Sequence, residues 1–216
     1  MPRYALVVGI SEYARPLTKL SKPETDAETL AKLLSDYGDF QDVKLLQGKV
    51  SYKQLCNEIL TFGQRADCAE AFIYFTGHGF AVTGGLGGID VYLATSDCVL
   101  RTDGNHVVGQ EKGLSLNELN NFIQNSNISS LVMLLDCCHS GSAIEDSWII
   151  STLSAMNRKN YYLLAACREF EQSWAIKSEQ HSVFTSALVQ GLSRENSGSD
   201  GKISCDSLFA FVKNAL

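Results

Sequence analysis

Apolar residues along this chain fall into short continuous runs separated by stretches of helical spacing. Tyr4–Ile10 (YALVVGI), Ala71–Thr76 and Leu131–Asp136 are the densest runs and read as buried strands. Asp42–Leu46 and Tyr161–Ala166 read as two more strands. Between them the period changes. Leu30, Leu33 and Leu34 mark a helix over Pro23–Tyr37, and Leu55, Ile59 and Phe62 mark one over Tyr52–Phe62. Ser115 and Glu118 form a capping-box pattern that starts a helix reaching about Gln124. Ser147–Met156 reads as partly helical and Phe184–Leu192 as a helix. Asp200-Gly201 turns the chain into a last amphipathic helix from Cys205. Ile89–Thr95 resembles a hairpin or edge strand, and Cys98–Gly113 a polar excursion.

Strands alternating with helices predict a single α/β domain, with a mostly parallel sheet of about six strands covered on both faces. No repeat, low-complexity tract or interdomain linker interrupts it. The 216 residues are enough to bury a substantial core, and 45% hydrophobic with 19% charged residues is ordinary for a globular protein. No run approaches the roughly 20 apolar residues of a membrane span. The opening MPRYALVVGISEY lacks a small-residue cleavage site and reads as a first strand. The seven cysteines include no CxxC pair, which points to a reducing cytoplasm. A net charge of −6 argues against nucleic acid and tolerates a cationic substrate.

Two of the buried runs stop at reactive side chains beside glycine: FIYFTGHG at His78 and LVMLLDCCHSG at Cys138. Side chains alternate along a strand, so Asp136 and Cys138 share one face and Cys137 packs inward as a bystander. A thiol attacks as its thiolate and needs a base, for which His78 is the candidate and His139 the competitor. Adjacent residues in an extended chain point apart, which favours His78. The backbone amides of Gly79 and Cys138 are candidate oxyanion donors. Three consecutive residues, Cys137 to His139, do not converge on one tetrahedral ion, so zinc is not expected. Gly84–Gly88 is followed by no Lys-Ser/Thr and suits a rim loop better than a phosphate loop.

The pairing of FTGHG with DCCHSG resembles the caspase-like cysteine peptidases (clan CD, family C14), most closely the metacaspases and prokaryotic orthocaspases. YALVVGISEY, LSKPETDAETL and HSVFTSALVQGL extend the resemblance over nearly the whole chain. It implies a caspase-like three-layer sandwich, with a large-subunit-like part over 1–145 and a small-subunit-like part over 160–216. It also implies a Cys138–His78 dyad acting on peptide or protein substrates. Asp136 stands where true caspases carry glutamine. With Asp26, Thr76 and Glu171 it implies an S1 pocket for Arg or Lys rather than Asp. Self-cleavage is expected at Arg158 or Lys159, between the two parts. No cofactor is implied. The calcium cluster of many metacaspases is thin here, with Asp90, Asp97, Asp103 and Glu145 spread apart, so calcium is not expected to be required. Relatives often carry further C-terminal domains or a regulatory partner. The competing class is a catalytically silent caspase-like signalling module, which commonly lacks the histidine or cysteine; both are present here.

Overall fold

The computed structural model describes residues 1–67, 69–83, 88–104, 106–139, 160–168 and 180–216, with the backbone alone at 83, 138, 139, 167 and 168. Its elements run β1 (Arg3–Ile10), α1 (Pro23–Tyr37), β2 (Asp42–Gly48), α2 (Tyr52–Arg65), β3 (Glu70–Thr83), β4 (Ile89–Asp103) and β5 (His106–Ser115). There follow α3 (Leu116–Gln124), β6 (Ser130–His139), β7 (Tyr161–Arg168), α4 (Val183–Gly191) and α5 (Cys205–Ala215). Serine hydroxyls start four of the helices. Ser51, Ser115, Ser182 and Ser204 each accept a backbone N–H from the first turn, and at Ser115 the Glu118 side chain closes the capping box.

Five strands form a parallel sheet in the order β2-β1-β3-β6-β7. The far end of β3 continues beyond it and pairs antiparallel with β4, which pairs antiparallel with β5. The sheet therefore has seven strands, not about six, and the polar excursion expected over Cys98–Gly113 is a β-hairpin. The hairpin escapes an apolar reading because it covers only a small core of Leu17, Phe80, Ala94, Cys98 and Val107. Val99 and Val108 face solvent, and two register shifts break the alternation.

Strand alternation divides the main core in two. Ile73 and Phe75 of β3 join Met133 and Leu135 of β6 under α2 and α3. Phe72 and Tyr74 join Leu134 on the other face, beneath α1, α4 and α5. Truncating a side chain as deeply buried as Leu134 costs ~2–5 kcal/mol. None of the described helices is long and apolar enough to cross a membrane.

Candidate active site

β1 is followed by α1 on one face and leads to β2; β2 is followed by α2 on the other face and leads to β3. The connections diverge between β1 and β3, and the carboxyl ends of strands beside such a switch point form a crevice. β3 and β6 are in register there, with Thr76 opposite Asp136 and His78 opposite Cys138. At the end of β6, Asp136 and Cys137 face opposite layers, as alternation requires. Cys137 is 2% exposed among the apolar residues under α2 and α3, whereas Asp136 bonds to Ser182 and Thr185 of the opposite layer.

His78 is wholly buried and held from three sides. Its backbone N–H donates to the Tyr13 hydroxyl at 2.9 Å, and that hydroxyl donates to the Ile10 carbonyl at 2.6 Å. The Tyr13 ring packs on the imidazole at 4.7 Å between centroids. Nε2 lies 2.9 Å from the Thr18 carbonyl oxygen. A carbonyl only accepts, so Nε2 carries the proton, and in the neutral ring Nδ1 is the basic nitrogen. Tyr13 and Thr18 both come from the connection after β1, and neither is identified by sequence reasoning. A main-chain carbonyl has no side-chain signature, and an isolated tyrosine after a strand has many uses.

Glycine at 77 leaves room for this arrangement, since a β-carbon there would stand 2.5 Å from the Tyr13 hydroxyl. Gly79 sits deeper in the sheet, on rungs with His139 of β6 and Leu93 of β4, where a β-carbon would lie 3.1 Å from that of Cys137.

The two aspartates meet the start of α4. Asp26, in the first turn of α1, is wholly buried; its Oδ1 is 2.8 Å from His181 Nδ1, and both oxygens are 3.3 Å from the Ser182 N–H. Asp136 Oδ2 accepts from Ser182 Oγ at 2.5 Å and Thr185 Oγ1 at 3.3 Å. Tyr74 lies between, its hydroxyl 2.6 Å from Thr185 Oγ1. Burial raises the Asp26 carboxyl above the usual carboxylate range, partly countered by the bonds from His181 and Ser182. Burial also pushes the Tyr74 phenol well up, reinforced by the negative charges of Asp136 and Asp26. Thr76 is buried on the rung of Asp136. Sequence reasoning includes His181 and Ser182 only within a resembling segment, although Ser182 as a helix cap was legible from its place before an apolar run.

Glu171, Arg158, Lys159, Glu145 and the glycines at 84–87 lie outside the described residues. Asp97 accepts from the Tyr52 N–H at 2.8 Å and Thr95 Oγ1 at 3.0 Å, and pairs with Lys112 at 3.3 Å. Burial works to raise its carboxyl, but these donors together hold it below its ordinary value. Asp90 accepts from Asn117 Nδ2 at 2.8 Å, and Asp103 ends β4.

The family model of the caspase domain matches residues 2–216. No curated protein matches the chain. Among solved structures, protein GSU0716 from Geobacter sulfurreducens is similar in fold, with a TM-score of 0.64 at 16% identity. That likeness covers 100% of this chain and 89% of the other. With a mostly parallel α/β sheet matched by that model almost from end to end, the chain belongs to the caspase-domain family, C14.

Proposed function

We propose that the protein is a cysteine endopeptidase of metacaspase type that cleaves peptide bonds after Arg or Lys. The observation that carries this reading is the shared rung of His78 and Cys138 near the end of the parallel β3–β6 pairing, with the imidazole fixed by Thr18. Nδ1 takes the Cys138 thiol proton, and the Thr18 carbonyl stabilises the resulting imidazolium through its Nε2–H. The thiolate attacks the carbonyl carbon of the basic residue, and the amides of Gly79 and Cys138 donate to the oxyanion. As the tetrahedral intermediate collapses, the imidazolium protonates the departing amine and leaves an acyl-enzyme. Water, giving its proton to His78, then attacks the thioester and restores the thiol.

Selectivity rests on carboxylates, because an unpaired cation or anion is costly to bury. Asp136, with Thr76 on its rung, is the central candidate for meeting the basic side chain; Asp26 supports it from α1, and Glu171 is a further candidate. Self-cleavage after Arg158 or Lys159 would cut the connection between β6 and β7. In this reading calcium is not required and the protein works in the cytoplasm.

Fluorogenic peptides differing only at P1 test the proposal. Arg and Lys peptides are turned over and an Asp peptide is not, and Cys138→Ala and His78→Ala each lose nearly all activity. Equal rates in wild type and Cys138→Ala would retire the peptidase reading in favour of a silent module. Efficient cleavage after Asp would retire the pocket assignment alone.

A further inference from the structure

His181 is not needed for the dyad, yet it makes the shortest contact to a wholly buried carboxylate. Its Nδ1 stands 2.8 Å from Asp26 Oδ1, with the His181 side chain 16% exposed and that of Asp26 1%. An ionised carboxylate only accepts, so this bond requires a proton on Nδ1. The residue is gripped from its backbone as well, because Lys22 Nζ donates to the His181 carbonyl at 2.9 Å. Lys22 and Asp26 both belong to the start of α1, and Ser182, the next residue, joins Asp26 to Asp136 at the start of α4.

A buried carboxylate stays ionised only where hydrogen-bond donors offset the loss of water. Asp26 is met by His181 and Ser182 before α4; Tyr74 from β3 feels the charges of both Asp26 and Asp136, Ser182 links Asp26 to Asp136 of β6, and Lys22 acts through the His181 carbonyl. Among the described residues His181 makes the short bond to Asp26, at 2.8 Å against 3.3 Å for the Ser182 N–H.

We infer that His181 is a positioning residue for recognition of the basic P1 side chain: its Nδ1–H holds Asp26 ionised and turned toward α4, which leaves Asp136 to meet the substrate. The inference rests on the peptidase reading and adds to it a residue outside the dyad and the S1 acids. His181 acts through Asp26 and touches no reacting atom. Burial, which raises the Asp26 carboxyl, is the force that the bond opposes. Without His181 the carboxyl protonates at higher pH and the pocket presents less charge.

Kinetics of His181→Ala, His181→Asn and Asp26→Asn on Arg, Lys and citrulline peptides test this. In His181→Ala, KM for the Arg peptide rises about tenfold or more, the scale of one lost bond to a charged group, with kcat little changed. Its preference for Arg over citrulline narrows, and the acidic limb of its kcat/KM profile moves to higher pH. His181→Asn, whose amide can donate to Asp26, recovers most of both effects. The double variant His181→Ala with Asp26→Asn removes the orphaned carboxylate and serves where the single alanine variant folds poorly. Its KM equals that of Asp26→Asn alone. An active wild type whose His181→Ala keeps KM, Arg preference and acidic limb overturns the inference and spares the peptidase. Additive losses in the double variant overturn it too. A wild type inert toward Arg and Lys peptides overturns both together.

Discussion

Gly9 and Pro23 are in such close contact that a β-carbon on residue 9 would stand 2.2 Å from the Pro23 carbonyl oxygen and 2.6 Å from the Ala27 β-carbon. The end of β1 therefore touches the first turn of α1 directly, backbone against backbone. That turn carries Asp26, so the absence of a side chain at residue 9 sets how far the carboxylate reaches toward α4.

Gly9→Ala should accordingly push α1 off the sheet. Overpacking of this kind costs ~1–3 kcal/mol, because neither the Pro23 backbone nor the Ala27 methyl can rotate away. Urea unfolding should show a lower midpoint with an unchanged slope, and KM for an Arg peptide should rise with the displacement of Asp26. A midpoint equal to wild type would mean that α1 shifts without cost.

Tyr13→Phe removes one hydroxyl that serves two backbone groups at once. The buried His78 N–H loses its acceptor and the Ile10 carbonyl loses its donor. Removing a hydrogen bond of this kind costs ~0.5–1.5 kcal/mol, and part of that falls on the position of the imidazole. We expect kcat to drop about tenfold while KM stays near wild type, since Tyr13 is distant in role from the S1 acids. A fall confined to KM would assign Tyr13 to substrate binding instead.

Much of this was legible from residue pattern because each element keeps one dominant period. Helical spacing places α1 at about Pro23 to Tyr37, where it lies, and Ser115 with Glu118 marks the start of α3. The inward turn of Cys137 followed from simple alternation. What escaped has a different physical origin. The outer part of the β4–β5 hairpin, over Cys98–Gly113, shields only a small cluster, so its alternation is diluted by solvent-facing Val99 and Val108. Thr18 contributes through its main chain, which every residue possesses. The link between His181 and Asp26 joins positions 155 residues apart, a tertiary contact with no local period.

Thiol reactivity separates the cysteines. Burial pushes the Cys98 thiol up to about 12, and burial likewise raises Cys56 and Cys205. These three are free thiols that stay protonated at neutral pH and react slowly. A thiol paired with His78 should instead react as a thiolate. Brief iodoacetamide treatment at neutral pH, followed by peptide mapping, should find Cys138 modified well before Cys56, Cys98 or Cys205. His78→Ala should abolish that lead. Uniform labelling of all four in the native protein would remove the case for an activated nucleophile.

Asp26 makes the stability of the protein depend on pH in a direction opposite to that of a salt-bridged surface acid. Burial is the largest influence on its carboxyl and lifts it above 3.8, despite the bonds from His181 and Ser182. Between 3.8 and the raised value the native chain keeps a proton that the unfolded chain has released. Unfolding there releases a proton, so stability falls as pH rises, and the contribution present below 3.8 is gone once pH passes the folded value. Asp26→Asn removes this titration and leaves the other ionisable groups in place. The unfolding free energy of wild type minus that of Asp26→Asn, from urea melts at successive pH values above 3.8, should therefore decline and then level off. A difference that instead grows with pH would mean that the His181 and Ser182 bonds outweigh burial, and that Asp26 is a stabilising anion in the folded chain.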